Sequence, residues 1–195
     1  ASSSKNYVNY SSIVRCVNVN VNTYSTFNLW YGNICCPSVN SSLNKCYRYS
    51  GIYCYPYCDS NHVTCSLTYS SFVDNNATDY ICILLDRNYA KYEIKSCNIL
   101  RNTQSNLDSR GTIFTRGNLN ICDSCILQNT ANNIFYQEYS YTITLTNCTV
   151  DKTSNNGYLT TRNTVRKSFI HALNHMSNLV CHSEYDSFVY LTPIT

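Results

Sequence analysis

The residues best suited to chemistry are the histidines, cysteines and carboxylates, and none falls in a pattern that defines a reaction. His171-x-x-x-His175, followed by Cys181-His182, would put two imidazoles on one helical face, as a metal site needs. No Glu follows the first His as in H-E-x-x-H, so these read as surface or capping histidines and no metal ligand is assigned. Cys122-x-x-Cys125 has redox spacing but no βαβ context. It reads as a structural disulfide or two free thiols, both outside a chain corner. Asp59, Asp74, Asp79, Asp86, Asp108, Asp123, Asp151 and Asp186 fall at different positions of the repeat described below. A polysaccharide lyase or hydrolase would gather such carboxylates on one exterior sheet beside Arg or Lys. Asp74 instead shares its position with Arg101, Gln128 and Lys152, a mixed solvated face. No catalytic residue and no cofactor is assigned, and the chain reads as a non-enzyme.

Composition narrows the classes further. Fourteen Lys and Arg face 11 Asp and Glu, a net charge of +3. That is too small and dispersed for a nucleic-acid binder. No apolar run approaches the ~20 residues of a membrane helix, so no membrane span is expected in this segment. The chain begins at Ala1 without a signal peptide and reads as a mature or trimmed piece of something longer. Thirteen cysteines in 195 residues are many for a cytosolic protein. Six lie between Cys35 and Cys65, with Pro37 and Pro56, as in a disulfide-tied segment. The disulfide candidates are Cys35, Cys36, Cys46, Cys54 and Cys58, with Cys122 and Cys125 beyond them. Vicinal Cys35 and Cys36 would take separate partners, and spacing does not set the pairing. N-x-[ST] sequons at Asn9, Asn40, Asn76 and Asn147 are N-glycosylation candidates. Together these features predict a chain outside the cell, secreted or at the cell surface.

The elements that must position all these residues come from an internal repeat. Cys65–Asn75, Tyr92–Asn102, Leu119–Asn129 and Ile143–Thr153 superimpose. Leu67, Ile94, Ile121 and Leu145 recur at an interval of about 27 residues, the last step being slightly shorter. Phe72, Ile99, Ile126 and Val150 recur at the same spacings. Asn75, Asn102 and Asn129 follow three positions after the second set, with Thr153 in the fourth place. Alternating apolar residues mark strands, and the two-residue break between them marks a corner. A second apolar patch separates the units: Ile81–Leu85, Thr112–Thr115, Asn133–Tyr136 and Tyr158–Thr160.

Each unit thus holds about three short strands, too few to bury an apolar face alone. Stacking the units closes a continuous core. The expected fold is all-β, a right-handed parallel β-helix of about 27 residues per coil. Leu67, Ile94, Ile121 and Leu145 would form one core column, and Phe72, Ile99, Ile126 and Val150 another. Asn75, Asn102 and Asn129 would form a ladder of side-chain amides along the axis. Val8–Val14 matches Leu67–Val73 and leaves room for two earlier coils, the second holding Val17, Val19, Val21, Phe27, Leu29 and Tyr31. The whole of 1–195 is read as one β-helix domain. Within it, 35–65 is a Cys- and Tyr-rich irregular coil or loop, and 165–195 an irregular last coil or cap.

Phe72-Val-Asp-Asn75 is an F-x-x-N motif, with Ile99–Asn102 and Ile126–Asn129 as conservative versions, and Ser50–Tyr53 and Gly111–Phe114 look like worn G-G-A-I motifs. The chain resembles the polymorphic membrane protein repeats in these motifs, over roughly residues 60–165, and the protist type more than the bacterial one. The resemblance implies a β-helical surface region that acts in adhesion. The function expected is a non-catalytic module that recognises a host or matrix glycan or protein through flat faces of Asn, Ser, Thr and Tyr. The alternative is a structural unit that self-associates end to end into a rod or filament. A polysaccharide lyase or hydrolase is the third reading. The five tyrosines of Tyr47–Tyr57 are either an exposed contact surface or a cover for one end of the core.

Overall fold

A short strand that is apolar on one side gains its burial by lying beside another strand of the same pattern. The computed structural model describes residues 4–20, 25–78, 81–106 and 110–167, and every paired strand in it runs parallel to its neighbours. The protein is an all-β parallel β-helix. Among the described residues there is no helix long and apolar enough to cross a membrane.

Among the described residues four sheets, rather than three strands per coil, run along the axis. Sheet 1 has seven strands: Lys5–Tyr7, Asn33–Pro37, Val63–Thr68, Lys91–Lys95, Asn118–Cys122, Thr142–Thr146 and Tyr158–Arg162. Sheet 2 also has seven, from Ser11–Val14 to Val165–Arg166. Sheet 3 has four two-residue strands: Val17–Asn18, Lys45–Cys46, Asn76–Ala77 and Thr103–Gln104. Sheet 4 has five: Asn28–Trp30, Tyr49–Tyr55, Ile81–Leu85, Ile113–Thr115 and Phe135–Gln137. The sheet 3 strands are too short to show alternation, which is why only three strands per coil are visible in the sequence.

Leu67, Ile94, Ile121 and Leu145 are paired in register through sheet 1, and Phe72, Ile99, Ile126 and Val150 through sheet 2. All eight are buried in one core cluster. Ile13 lies level with Ser41 and Phe72, so two coils do precede Cys65. Their contents differ from expectation. Val17–Asn18 and Asn28–Trp30 finish the first coil, and residues 33–55 supply a complete second coil with a strand in every sheet. Most of the Cys- and Tyr-rich stretch is therefore a coil of the solenoid, and only residues 56–62 of it run without a strand before sheet 1 resumes at Val63. Its inward columns use Cys36, Ser41 and Cys54 where later coils use Leu, Phe and Leu. The step from Cys36 to its partner Leu67 is also longer than those that follow, which hides the period. Tyr158–Arg162 pairs with sheet 1, not with the second apolar patch, because the last coils among the described residues have no strand in sheets 3 and 4. In the 165–195 segment Val165–Arg166 is a regular sheet 2 strand, and residues 168–195 lie outside the described residues.

The corners repeat as regularly as the strands. Between sheets 1 and 2 the chain passes through one left-handed residue per coil, at Tyr10, Ser38, Tyr69, Ser96, Asp123, Asn147 and Asn163. After sheet 2 it does so at Arg15, Leu43, Asp74, Arg101 and Gln128. A non-glycine residue there costs about 1–2 kcal/mol, so something at these corners must offset it. Glycine serves a different need on sheet 4. A Cβ at Gly51 would lie 2.6 Å from the Cys82 carbonyl oxygen, and one at Gly111 2.6 Å from that of Asn133. The two worn G-G-A-I segments keep a glycine where coils approach this closely.

Candidate functional site

The offset at the second corner is an amide ladder. Asn75 Nδ2 donates to Asn102 Oδ1 at 3.0 Å and to the Ser41 carbonyl at 2.8 Å, and the same Asn102 oxygen accepts the Asn75 backbone N–H at 3.0 Å. Asn102 repeats this toward Asn129 Oδ1 and the Phe72 carbonyl. Asn44 extends the ladder upward, donating to Asn75 Oδ1 at 3.0 Å. It is one residue that sequence reading missed, although it too follows its inward partner, Ser41, by three. These amides are buried and spent on the fold, with no capacity left for a ligand.

The first corner has a ladder of small residues. Ser70 Oγ accepts from Val39 N–H at 3.0 Å and donates to the Cys36 carbonyl at 3.1 Å. Cys97 Sγ donates to the Leu67 carbonyl at 3.3 Å, Ser124 Oγ accepts from Cys97 N–H at 3.1 Å, and Cys148 Sγ donates to the Ile121 carbonyl at 3.4 Å. Two of the cysteines thus act as serine equivalents. Burial pushes the Cys97 thiol up to about 12 and the Cys148 thiol up to about 11.

The remaining sequence candidates scatter. The twelve described cysteines carry no disulfide. Cys36 and Cys54 face the core beside Cys65, Cys46 is buried, and Cys35 and Cys58 are more open. Cys35 and Cys36 diverge because neighbours on a strand face opposite ways. Cys125 does not lie open outside its corner. It is buried with Val73, Leu100 and Leu127, on the sheet 2 side opposite Phe72 and Ile99. Cys122 is half-buried. Of the sequons, Asn9 and Asn147 are exposed and Asn76 is half-buried. Asn40 is 1 % exposed with its Nδ2 unpartnered, and a sugar there has no room. Asp74 is held by both arms of the Arg101 guanidinium at 2.7 Å. His171, His175, Cys181 and His182 lie outside the described residues, among which no group of three metal-ligating side chains is placed to hold an ion.

What the structure does bring together is the outer face of sheet 4. Residues 53, 84, 114 and 136 stand in one outward column. At the strand ends Trp30 pairs with Tyr55, and the residues that follow the next three strands are Asp86, Arg116 and Glu138. The aromatics touch. Trp30 lies 5.4 Å from Tyr53 and from Tyr55 between ring centroids, Tyr49 stacks on Tyr53 at 5.5 Å, and Phe114 on Tyr136 at 5.5 Å. The Tyr47–Tyr57 segment therefore supplies a sheet 4 strand, Tyr49–Tyr55, to this face and is not a cover for one end of the core. Arg116 bridges Asp86 at 2.8 Å and Glu138 at 2.6 Å, and the Tyr53 hydroxyl donates to Asp86 at 3.0 Å. Burial holds the Asp86 carboxyl above the usual range, against the pull of Arg116. The bond to Glu138 raises Arg116 further still. Sequence reading kept these charges apart because the interval from Asp86 to Arg116 differs from that between Arg116 and Glu138, and neither equals the repeat.

Where sheet 4 turns into sheet 1, the face deepens into a groove. One part, of about 460 Å³, is lined by Asn88, Tyr89, Tyr139, Ser140 and Tyr141. A second, of about 200 Å³, shares Asn88 and Tyr89 and adds Tyr55, Asp86, Arg87 and Arg116 among its walls. The Tyr89 N–H donates to the Tyr141 hydroxyl at 3.1 Å, and the Tyr139 and Tyr141 rings meet edge to face at 6.2 Å. Arg87 is anchored from behind: its N–H donates to the buried Tyr92 hydroxyl at 2.7 Å, and that hydroxyl donates back to the Arg87 carbonyl at 3.1 Å. Fold and face together define a β-solenoid with one aromatic, charged outer wall. No protein family, curated protein or solved structure matches the chain.

Proposed function

We propose that this chain is a non-catalytic recognition module, secreted or displayed at a cell surface, that binds a glycan along the outer face of sheet 4. The observation that carries this is the sequence of rings that runs from exposed Trp30 over half-buried Tyr55, with Tyr53 buried beneath them, to the tyrosine-walled groove that Tyr55 helps to line. A sugar ring offers a C–H face that packs on an aromatic ring and hydroxyls that pair with Asn, Ser and Tyr, the groups this groove presents. The ion pairs support binding rather than catalysis. Both carboxylates lean on Arg116, and a general acid or base needs a free proton route to substrate. Surface placement is supported by the open sequons at Asn9 and Asn147 and by the resemblance to the polymorphic membrane protein repeats. Trp30, the one tryptophan of the chain, is 49 % exposed within the face and reports on it. Titration of the protein with a panel of defined oligosaccharides should shift Trp30 emission for at least one class. A flat response across the panel would sink the glycan reading.

A second reading, end-to-end stacking into a rod, is favoured by the strands Tyr158–Arg162 and Val165–Arg166, which are the last of sheets 1 and 2 among the described residues and whose side chains are mostly exposed. Sedimentation over a wide concentration range tests it. A monomer throughout counts against it.

A further inference from the structure

The groove holds a cation that no carboxylate balances among the described residues. Arg110 and Arg116 are each tied to Glu138, and Arg116 also to Asp86. Arg87 has no carboxylate at ion-pair distance among the described residues. Its Nη1 donates to the Tyr55 hydroxyl at 2.5 Å and its guanidinium carbon lies 4.9 Å from the Tyr55 ring centroid. Three guanidiniums against two carboxylates leave the site with one surplus positive charge, on Arg87.

A second, independent observation marks the tyrosines beside it. At the other two corners a left-handed residue recurs on coil after coil and its type varies, Tyr10 and Tyr69 standing among Ser, Asp, Asn, Arg, Leu and Gln, so the conformation there belongs to the architecture. Where sheet 4 turns into sheet 1 it occurs at Tyr31, Tyr89 and Tyr139, with φ of 62°, 60° and 59°. Tyrosine is a poor choice for that conformation, which favours Gly or Asn. Burial does not compensate, since these side chains are 56 %, 66 % and 72 % exposed. Strain of this kind gathers at binding sites. Two of the three tyrosines line the groove into which Arg87 faces.

We propose that the groove takes an acidic glycan, its sugar faces on Tyr89, Tyr139 and Tyr141 and its carboxylate or sulfate on Arg87. This rests on the glycan reading above and names the class. A guanidinium already stacked on one ring keeps its remaining N–H fork preorganised for a planar or tetrahedral anion. The neighbouring pairs keep Asp86 and Glu138 from repelling that anion at full charge.

The test is binding by the full chain to a hexuronate oligosaccharide, to the same oligosaccharide with its carboxyls reduced to alcohols, and to a sulfated neutral oligosaccharide. The hexuronate or the sulfated chain should bind about tenfold or more tighter than the reduced one, near 1.4 kcal/mol. That preference should fall with added salt. Arg87→Gln should abolish the preference and leave residual affinity for the reduced chain; Arg87→Lys should keep part of it. Tyr139→Ala should weaken all three ligands alike. Equal affinity for acidic and reduced chains, or a preference that survives Arg87→Gln, overturns the acidic assignment and leaves the glycan reading standing. Binding to none of the three overturns both.

Discussion

The corners on either side of sheet 2 and the corner after sheet 4 use the same left-handed backbone and put it to opposite ends. At the first two, the chain turns so that Asn44, Asn75, Asn102 and Asn129, or Ser70, Cys97, Ser124 and Cys148, can bond along the axis. The exposed residue that turns varies freely, whereas the buried one beside it is held to Asn at one corner and to Ser or Cys at the other. At the third, the turning residue is an exposed tyrosine, and the groove it lines is shaped by side chains that differ from coil to coil. Uniform, satisfied contacts build the rod, and varied ones line the groove proposed to take the ligand.

That contrast can be broken at several points. Ile126→Asp places an unpaired charge in a core column and should abolish folding, seen as loss of the soluble protein or of its β-sheet dichroism. A folded Ile126→Asp protein would mean that the inward assignment is wrong. Asn102→Leu strips partners from the Asn75 amide, the Asn75 N–H and the Phe72 carbonyl. It should cost about 3 kcal/mol or more in denaturant unfolding, since each orphaned buried group costs about 1–3 kcal/mol. Unchanged stability would remove the ladder from the account.

The buried thiols give the rod an alkaline limit. Cys82 and Cys97 are pushed up to about 12, chiefly by burial, from an ordinary value of 9.0. Above pH 9 the unfolded thiols lose their protons and the folded ones keep theirs. The unfolded state then binds fewer protons, and stability declines as pH rises from 9 toward 12. Cys97→Ser should flatten that decline in thermal unfolding at stepped pH. At neutral pH the same variant should shift stability by less than about 1 kcal/mol, because serine already fills this column at Ser70 and Ser124. At the proposed recognition face the signs reverse. Tyr139→Gly relieves a left-handed tyrosine and gives back chain entropy, so the net change should lie within about 1 kcal/mol of zero, while oligosaccharide binding weakens. A large loss of stability in Tyr139→Gly would make that tyrosine part of the rod after all.

How far these two regions can be read without a structure differs as sharply. Leu67, Ile94 and Ile121, with Asn75, Asn102 and Asn129, stand out because translation by one coil returns each residue to the same surroundings. The second coil escapes the same reading. There Ser41 and Cys36 take the places of Phe and Leu, and the step to the next coil is longer than the later ones. The cysteines illustrate the limit from another side. Their number points to disulfides, yet Cys97 and Cys148 serve as hydrogen-bonding corner residues and Cys36 and Cys54 as small core residues, uses that composition does not distinguish.

The sequence by itself determined the all-β solenoid, its period, its two main core columns and its amide ladder, because stacked coils repeat one set of local forces. Only the tertiary structure decided which residues meet on sheet 4 and in its groove. Tyr55, Asp86, Arg116 and Glu138 follow no shared interval, and Tyr89 reaches Tyr141 across 52 residues. Their meeting depends on the summed lengths of intervening turns, and those vary freely wherever the core does not constrain them.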